Sequence, residues 1–414
     1  MSSGEKVEVR DRETAVLGHV RGDLIVGRHA TIVGEGTPPS LEVEGIVKCT
    51  GYCTFDCDLH AKAFEGRKGI IDVLGDMKVD GHVRITWGML RVSGSLQAER
   101  IDVDRELKVD GDLKAGDVRV GGTATVRGQA ELGSVDVGGH LHIQGPVKAR
   151  EVRVGGTARL NGTADIDRLD IGGKARVAGG RISEVEIGGT FRALGELKFD
   201  DVRVGGMAVL MGGEGGDVRV GGTFKANEPL RAFSSIDVGG SVVLVGPTRG
   251  GTIRVGGALD VDGDLELSGP LRVGGRVRVE GRLKARSVKV GGVLRADRVE
   301  AEEDVRVGRR LSTAEGVWAD YVEIGREGRI EGPVRAGRVR IREEARAEDI
   351  WADEIVLEEG ARARNLYGKR IYIEYDCVIT GEVKYVDELV AEEDVRFART
   401  PVKVERPEDI GLKP

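Results

Sequence analysis

The amino-acid sequence predicts an all-β fold: a right-handed parallel β-helix (β-solenoid) of triangular section, with about 17 residues per coil and roughly 22 coils. Three observations predict it. The dipeptide Gly-Gly, preceded by Val or Ile, recurs with first glycines at Gly121, Gly138, Gly155, Gly172, Gly188, Gly205, Gly221, Gly239, Gly256, Gly274 and Gly291, at spacings of 16 to 18 residues. A short fixed period means one structural unit stacked many times. Apolar or small residues fall in pairs two apart, at 118 and 120, 124 and 126, and 130 and 132, and again one period later. A spacing of two marks a short strand with one buried face, so three pairs per period mean three strands per coil. The 3.6-residue periodicity that a helical solenoid requires is absent, and 17 is not the multiple of six that a left-handed hexapeptide helix needs.

The elements follow in chain order. Residues 1–15 read as an N-terminal tail and 16–400 as a single continuous β-helix. Its coils are less regular over 16–102, carry Val-Gly-Gly over 103–308 and become richer in aromatics over 309–400. Residues 401–414, with three prolines, read as a tail trailing off the coils. Within a coil the breaks between pairs carry Gly-Gly, then Arg127-Gly128, Gly145-Pro146 or Asn161-Gly162, then Gly133-Ser134. These read as corners where glycine supplies positive φ. At about 4.8 Å per coil, roughly 22 coils would stack to a rod about 105 Å long. With aromatics at 4%, the core must be thin and built from Val, Ile, Leu and Ala. The glycines do not read as a nucleotide loop, because no GxGxxG or GxxxxGK[ST] precedes a helical pattern.

Composition narrows the function classes. Gly is 65 of 414 residues but Pro only 10, which excludes collagen-like structure. Charged residues make up 32%, interspersed, with a net charge of −7, which describes solvated faces without a bulk bias toward nucleic acid. Three Asn and three Gln beside abundant Glu, Arg and Val suggest a thermophilic source. The polar start, Met1 to Val9, has no signal-like apolar run, so the expected location is cytoplasmic. Four Cys in a chain this long do not make a disulfide scaffold.

Segments such as Val20-Arg-Gly-Asp-Leu-Ile-Val-Gly27, Val109-Asp-Gly-Asp-Leu-Lys-Ala115 and Val261-Asp-Gly-Asp-Leu-Glu-Leu267 are similar to the Gly-Asp-containing coils of the bactofilins. With its Val-rich coils and glycine corners, the chain resembles this family of polymer-forming cytoskeletal proteins over most of its length. The resemblance implies a right-handed β-helix that polymerises end to end without nucleotide. The predicted stack is several times longer than the usual core of that family. The tails lack the apolar N-terminal membrane anchor that some members carry.

Candidate sites are few. Cys49, Cys53 and Cys57 alternate with polar residues around Phe55, which assigns them to the core. A thiolate metal site, with His60 nearby, is the alternative. His140 and His142 share a strand face and read as surface histidines. One outward position per coil runs Arg119, Asp136, Arg153, Asp170, Glu186, Arg203, Arg219, Asp237, a ladder whose early part alternates in sign. It then runs Arg254, Arg272, Lys289, Arg306, a candidate stripe for an anionic ligand. No catalytic constellation is legible, and the chain reads as a non-enzyme without a cofactor. An open β-helix end must be capped or joined to another chain. Leu24, Ile25, Val26, Tyr372, Tyr375, Tyr385 and Val386 are the expected assembly residues. The expected partner is a second copy, joined end to end. A small-molecule substrate and nucleic acid are not expected partners, and a membrane is left open. The function these readings point to is a structural rod forming cytoskeleton-like filaments. The alternative is a rod-shaped scaffold that docks a partner complex, nucleic acid or membrane.

Overall fold

The computed structural model describes residues 6–411. It is an all-β parallel β-solenoid of about 23 turns, about 17 residues apart. The chain falls into two compact units, Met1–Ala208 and Val209–Pro414.

In the first unit each regular coil contains one eight-residue strand and one four-residue strand, as in Ala130–Val137 followed by His140–Ile143. The long strand covers two of the three predicted strands. Its burial alternates on either side of a two-residue bend at Gly133-Ser134, so two faces are made without breaking the backbone ladder. Every strand pairs in parallel with its equivalent one coil on. Val118, Val135, Val152, Leu169, Val185 and Val202 form one such column, each in register with the next. All six are buried. Each buried side chain of this size contributes roughly 1.5–3 kcal/mol relative to exposure.

In the second unit the middle coils do split into three strands, as in Leu265–Leu267, Leu271–Val273 and Arg276–Val279. The extra break falls at Gly269-Pro270. Proline has no N–H for the ladder, whereas the equivalent residue Ser134 keeps its own. Core columns continue through Ile236, Ile253, Leu271, Val288, Val305 and Val322.

The corner glycines differ from expectation. The Gly-Gly pairs of the regular coils are not in the positive-φ region; that conformation is confined to positions such as Gly179, Gly180 and the non-glycine Trp87. Glycine is needed at the regular corners because coils stack backbone on backbone there. A β carbon on Gly155 would sit 2.5 Å from the carbonyl oxygen of Gly138, and one on Gly156 equally close to that of Gly139. The tail differs too. Val402–Lys403 pairs in parallel with Lys384-Tyr385, and a short 3-10 turn, Pro407–Ile410, follows. Ile410 is buried, and the Gly411 carbonyl accepts a hydrogen bond from Arg335 Nη1 at 3.4 Å. The tail therefore folds back onto the coils and does not trail away.

Candidate assembly surfaces

A solenoid coil satisfies its backbone groups only through the coils on either side, so the first and last coils are where chemistry is left over. At the N-terminal end, Val7–Val9, Thr14–Leu17 and His19–Val20 each pair on one side only among the described residues, with Leu24–Val26, Thr31–Gly34 and Ser40–Cys49. The expected assembly residues Leu24, Ile25 and Val26 lie one coil inward. Their strand has a neighbour on both sides, and Leu24 and Val26 are fully buried.

At the C-terminal end, Val383–Ala391 pairs inward along most of its length but outward only at Lys384 and Tyr385. The outer edge from Val386 to Ala391 is open among the described residues, and Val390 is 43% exposed. Tyr385 is thus in a paired position and Val386 begins the free edge. Tyr372 lies one coil inward, its hydroxyl donating to Glu388 at 3.0 Å. Tyr375 is exposed among Glu359, Glu374 and Glu392. Its hydrogen bond to Glu359, then partial desolvation and the surrounding carboxylates, push its hydroxyl up to about 12.

The other C-terminal aromatics are engaged with one another. Trp318, Arg335, Trp351, Tyr367 and Lys384 occupy one outward column in successive coils. Trp351 stacks on Tyr367 with centroids 5.1 Å apart, and the guanidinium of Arg335 lies 4.7 Å from the Trp351 ring. Cations at either end of the Trp351–Tyr367 stack, Arg335 over Trp351 and Lys384 over Tyr367, hold this column together, and the returning tail hydrogen-bonds Arg335.

Cys49, Cys53 and Cys57 are all free thiols and buried, next to the fully buried Phe55. Cys49 and Cys53 share a hydrogen bond; burial raises the Cys49 thiol, and the same bond lowers that of Cys53. Cys57 sits apart, its β carbon against Gly34, and burial pushes its thiol up to about 11. The three side chains fill core, as the alternation predicts. His60 is at the surface, with Nε2 3.1 Å from Asp80. His140 and His142 are outward, and Nε2 of His142 lies 3.1 Å from the Asn161 amide.

The outward ladder is in register as expected. In the first unit, Arg84, Asp102, Arg119, Asp136, Arg153, Asp170, Glu186 and Arg203 follow one another. In the second unit, Arg254, Arg272, Lys289 and Arg306 form an uninterrupted cationic row. Arg306 is paired with Asp304 at 2.9 Å; Arg254, Arg272 and Lys289 have no ion pair among the described residues. The row borders a shallow groove of about 690 Å³ floored by Gly256, Gly274 and Gly291.

A second cationic row escaped sequence reading. In the first unit, His142, Arg159, Arg176 and Arg192 are stacked in register on the face that follows the Gly-Gly corner. The signal was available, since these residues recur at the coil period. It was masked by the alternating ladder on the other side of the same corner.

Comparison with known proteins adds one finding. Residues 67–182 match the family model described as "Bactofilin: Polymer-forming cytoskeletal", so the resemblance drawn from the Gly-Asp coils is supported by an independent match within the first unit. No curated protein and no solved structure matches the chain. Among the described residues no helix is long and apolar enough to cross a membrane.

Proposed function

We propose that this chain is a non-enzymatic structural protein that self-associates end to end into cytoskeleton-like filaments, and that it does so in the cytoplasm. The observation that carries the reading is the match of residues 67–182 to a polymer-forming cytoskeletal family. The two open strand edges supply a physical route. A parallel coil ending in unpaired N–H and C=O groups is a template for another chain. The exposed Val16 at the first coil and Val390 at the last add apolar surface beside those edges. No nucleotide enters this mechanism, because strand pairing and burial drive it.

Negative-stain electron microscopy of the purified protein tests the reading. Filaments are expected, and they shorten or vanish in Val16→Lys and Val390→Lys, since a lysine beside a free edge opposes strand addition. Single particles of uniform size across salt and protein concentration would overturn the polymer reading and leave the solenoid untouched.

A further inference from the structure

One face of the first unit differs from the other two in both of the properties that govern contact with another surface. It is the face built by the short strands after the Gly-Gly corner, among them Thr14–Leu17, Thr123–Val126, His140–Ile143, Thr157–Leu160, Lys174–Val177 and Thr190–Ala193.

Its first property is exposed apolar surface. The exposed large hydrophobic residues of this unit are Val16, Tyr52, Leu74, Trp87, Leu194 and Met207. All six lie on this face or at one of the two corners that bound it. Trp87 occupies the corner position that Gly121 occupies two coils on; it is 63% exposed and sits at φ 58, a conformation disfavoured for so bulky a residue. The positive φ opposes folding and the exposed indole contributes little burial to offset it, so together they point to a role outside the fold. The six are dispersed singly along the face. A protein interface wants a contiguous apolar centre, whereas isolated Trp, Tyr, Leu and Met side chains suit the headgroup boundary of a bilayer.

Its second property is uncompensated positive charge. Across the coils from His140 to Leu194 the outward positions carry Lys174, Arg159, Arg176 and Arg192 and no carboxylate. None of the four has an ion pair among the described residues. Within the same coils the ladder before the corner reads Asp136, Arg153, Asp170, Glu186. Like charges about 4.8 Å apart cost stability that alternation avoids. The same coils mix both signs on one side of the corner and carry only cations among their charged residues on the other. Carboxylates of this face lie further toward the N-terminus, where Asp110 is paired with Arg127 at 3.0 Å. Asp56, Asp72 and Glu106 share that region.

We propose that this face of the first unit docks on an anionic lipid bilayer, its arginine row against the headgroups and its dispersed apolar side chains in the interfacial layer. Each cation near such a surface contributes independently of shape, and guanidinium groups pair bidentately with phosphate. The inference does not depend on filament formation.

The test is co-sedimentation of the full chain with phosphatidylcholine vesicles, with and without phosphatidylglycerol, against a vesicle-free control that subtracts any polymer. Binding is expected only with phosphatidylglycerol, falling with salt. Arg159→Glu/Arg176→Glu/Arg192→Glu is expected to weaken it by at least about tenfold. Arg119→Glu/Arg153→Glu/Arg203→Glu, on the mixed-sign ladder before the corner and with the same change in charge, leaves it unchanged. Should the first triple variant fail to fold, Trp87→Ala, an exposed position, is expected to lose affinity on its own. Equal loss in both triple variants, no sedimentation with either vesicle, or binding of single-stranded RNA in place of vesicles would each overturn the proposal.

Discussion

The corners of the middle coils and those of the last coils solve one problem in two ways. Each must turn the backbone between two faces while the coil above and the coil below stay in contact. In the Gly-Gly corners the absence of a β carbon lets a carbonyl of one coil lie directly against the next, as at Gly138 and Gly155. In the last coils the corner is longer, as in Arg342-Glu343-Glu344-Ala345, Glu358-Glu359-Gly360-Ala361 and Glu374-Tyr375-Asp376-Cys377. The third residue is left-handed, with φ 55 at Glu344, 66 at Gly360 and 56 at Asp376. The fourth drops a small, fully buried side chain into the core: Ala345, Ala361 and Cys377. The glycine pattern fades there because spacing is supplied by turn geometry, and the coil itself does not fade.

Breaking that comparison calls for the Gly-Gly corner first. Gly155→Val should lower stability by about 3 kcal/mol, because the neighbour it meets is backbone and cannot rotate away. Chemical denaturation would measure it. Gly360→Ala should cost only about 1 kcal/mol, the penalty of the left-handed region, since its nearest heavy atom is Cγ of Glu344 at 3.5 Å. Equal losses would mean that the two corner types do not differ as described.

The longer corners also hold a buried carboxylate, which the Gly-Gly corners lack. Glu358 is 5% exposed, accepts from Arg340 Nε at 2.6 Å and is approached by Arg342 Nε at 3.5 Å. Glu358→Ala should cost about 2 kcal/mol by leaving those donors less well satisfied. A thermal melt showing no change would remove this pair from the account of the C-terminal coils.

Thiol titration sharpens the comparison further. Desolvation pushes Cys57 and Cys377 up from 9.0 to about 11. A group with a raised folded pKa contributes stability that is complete below its unfolded value and is lost as pH rises through the folded one. The melting temperature should therefore decline between pH 9 and 11, and thiol reagents at pH 8 should label neither cysteine until the chain unfolds. The smallest effect belongs to Cys377→Ala. It reproduces the alanine of the two preceding corners and should shift stability by less than about 1 kcal/mol while removing part of that alkaline decline.

Much of the candidate surface was legible because alternation is a local rule. Val47 to Ala61 reads apolar on odd positions, and that placed Cys49, Cys53 and Cys57 in the core before any fold was known. The ladder from Arg119 to Arg203 was legible for the same reason, since one position per period is one column. Leu24–Val26 lies one coil inward of the end, because the three-residue segment Val7–Val9, read as part of a tail, supplies one more strand. The docking of Ile410 was not legible either: nothing within Val402–Ile410 reveals a receiving site formed tens of residues earlier.

The sequence by itself determined the coil: its period, its inward residues and its parallel register, because a fixed repeat with period-two burial leaves one way to stack. Only the tertiary structure decided what the glycines are for and which side chains share a face. The first depends on the distance between backbones in adjacent coils. The second depends on which of three faces a column occupies, which stacks Arg159, Arg176 and Arg192 in register although the chain keeps them 17 and 16 residues apart.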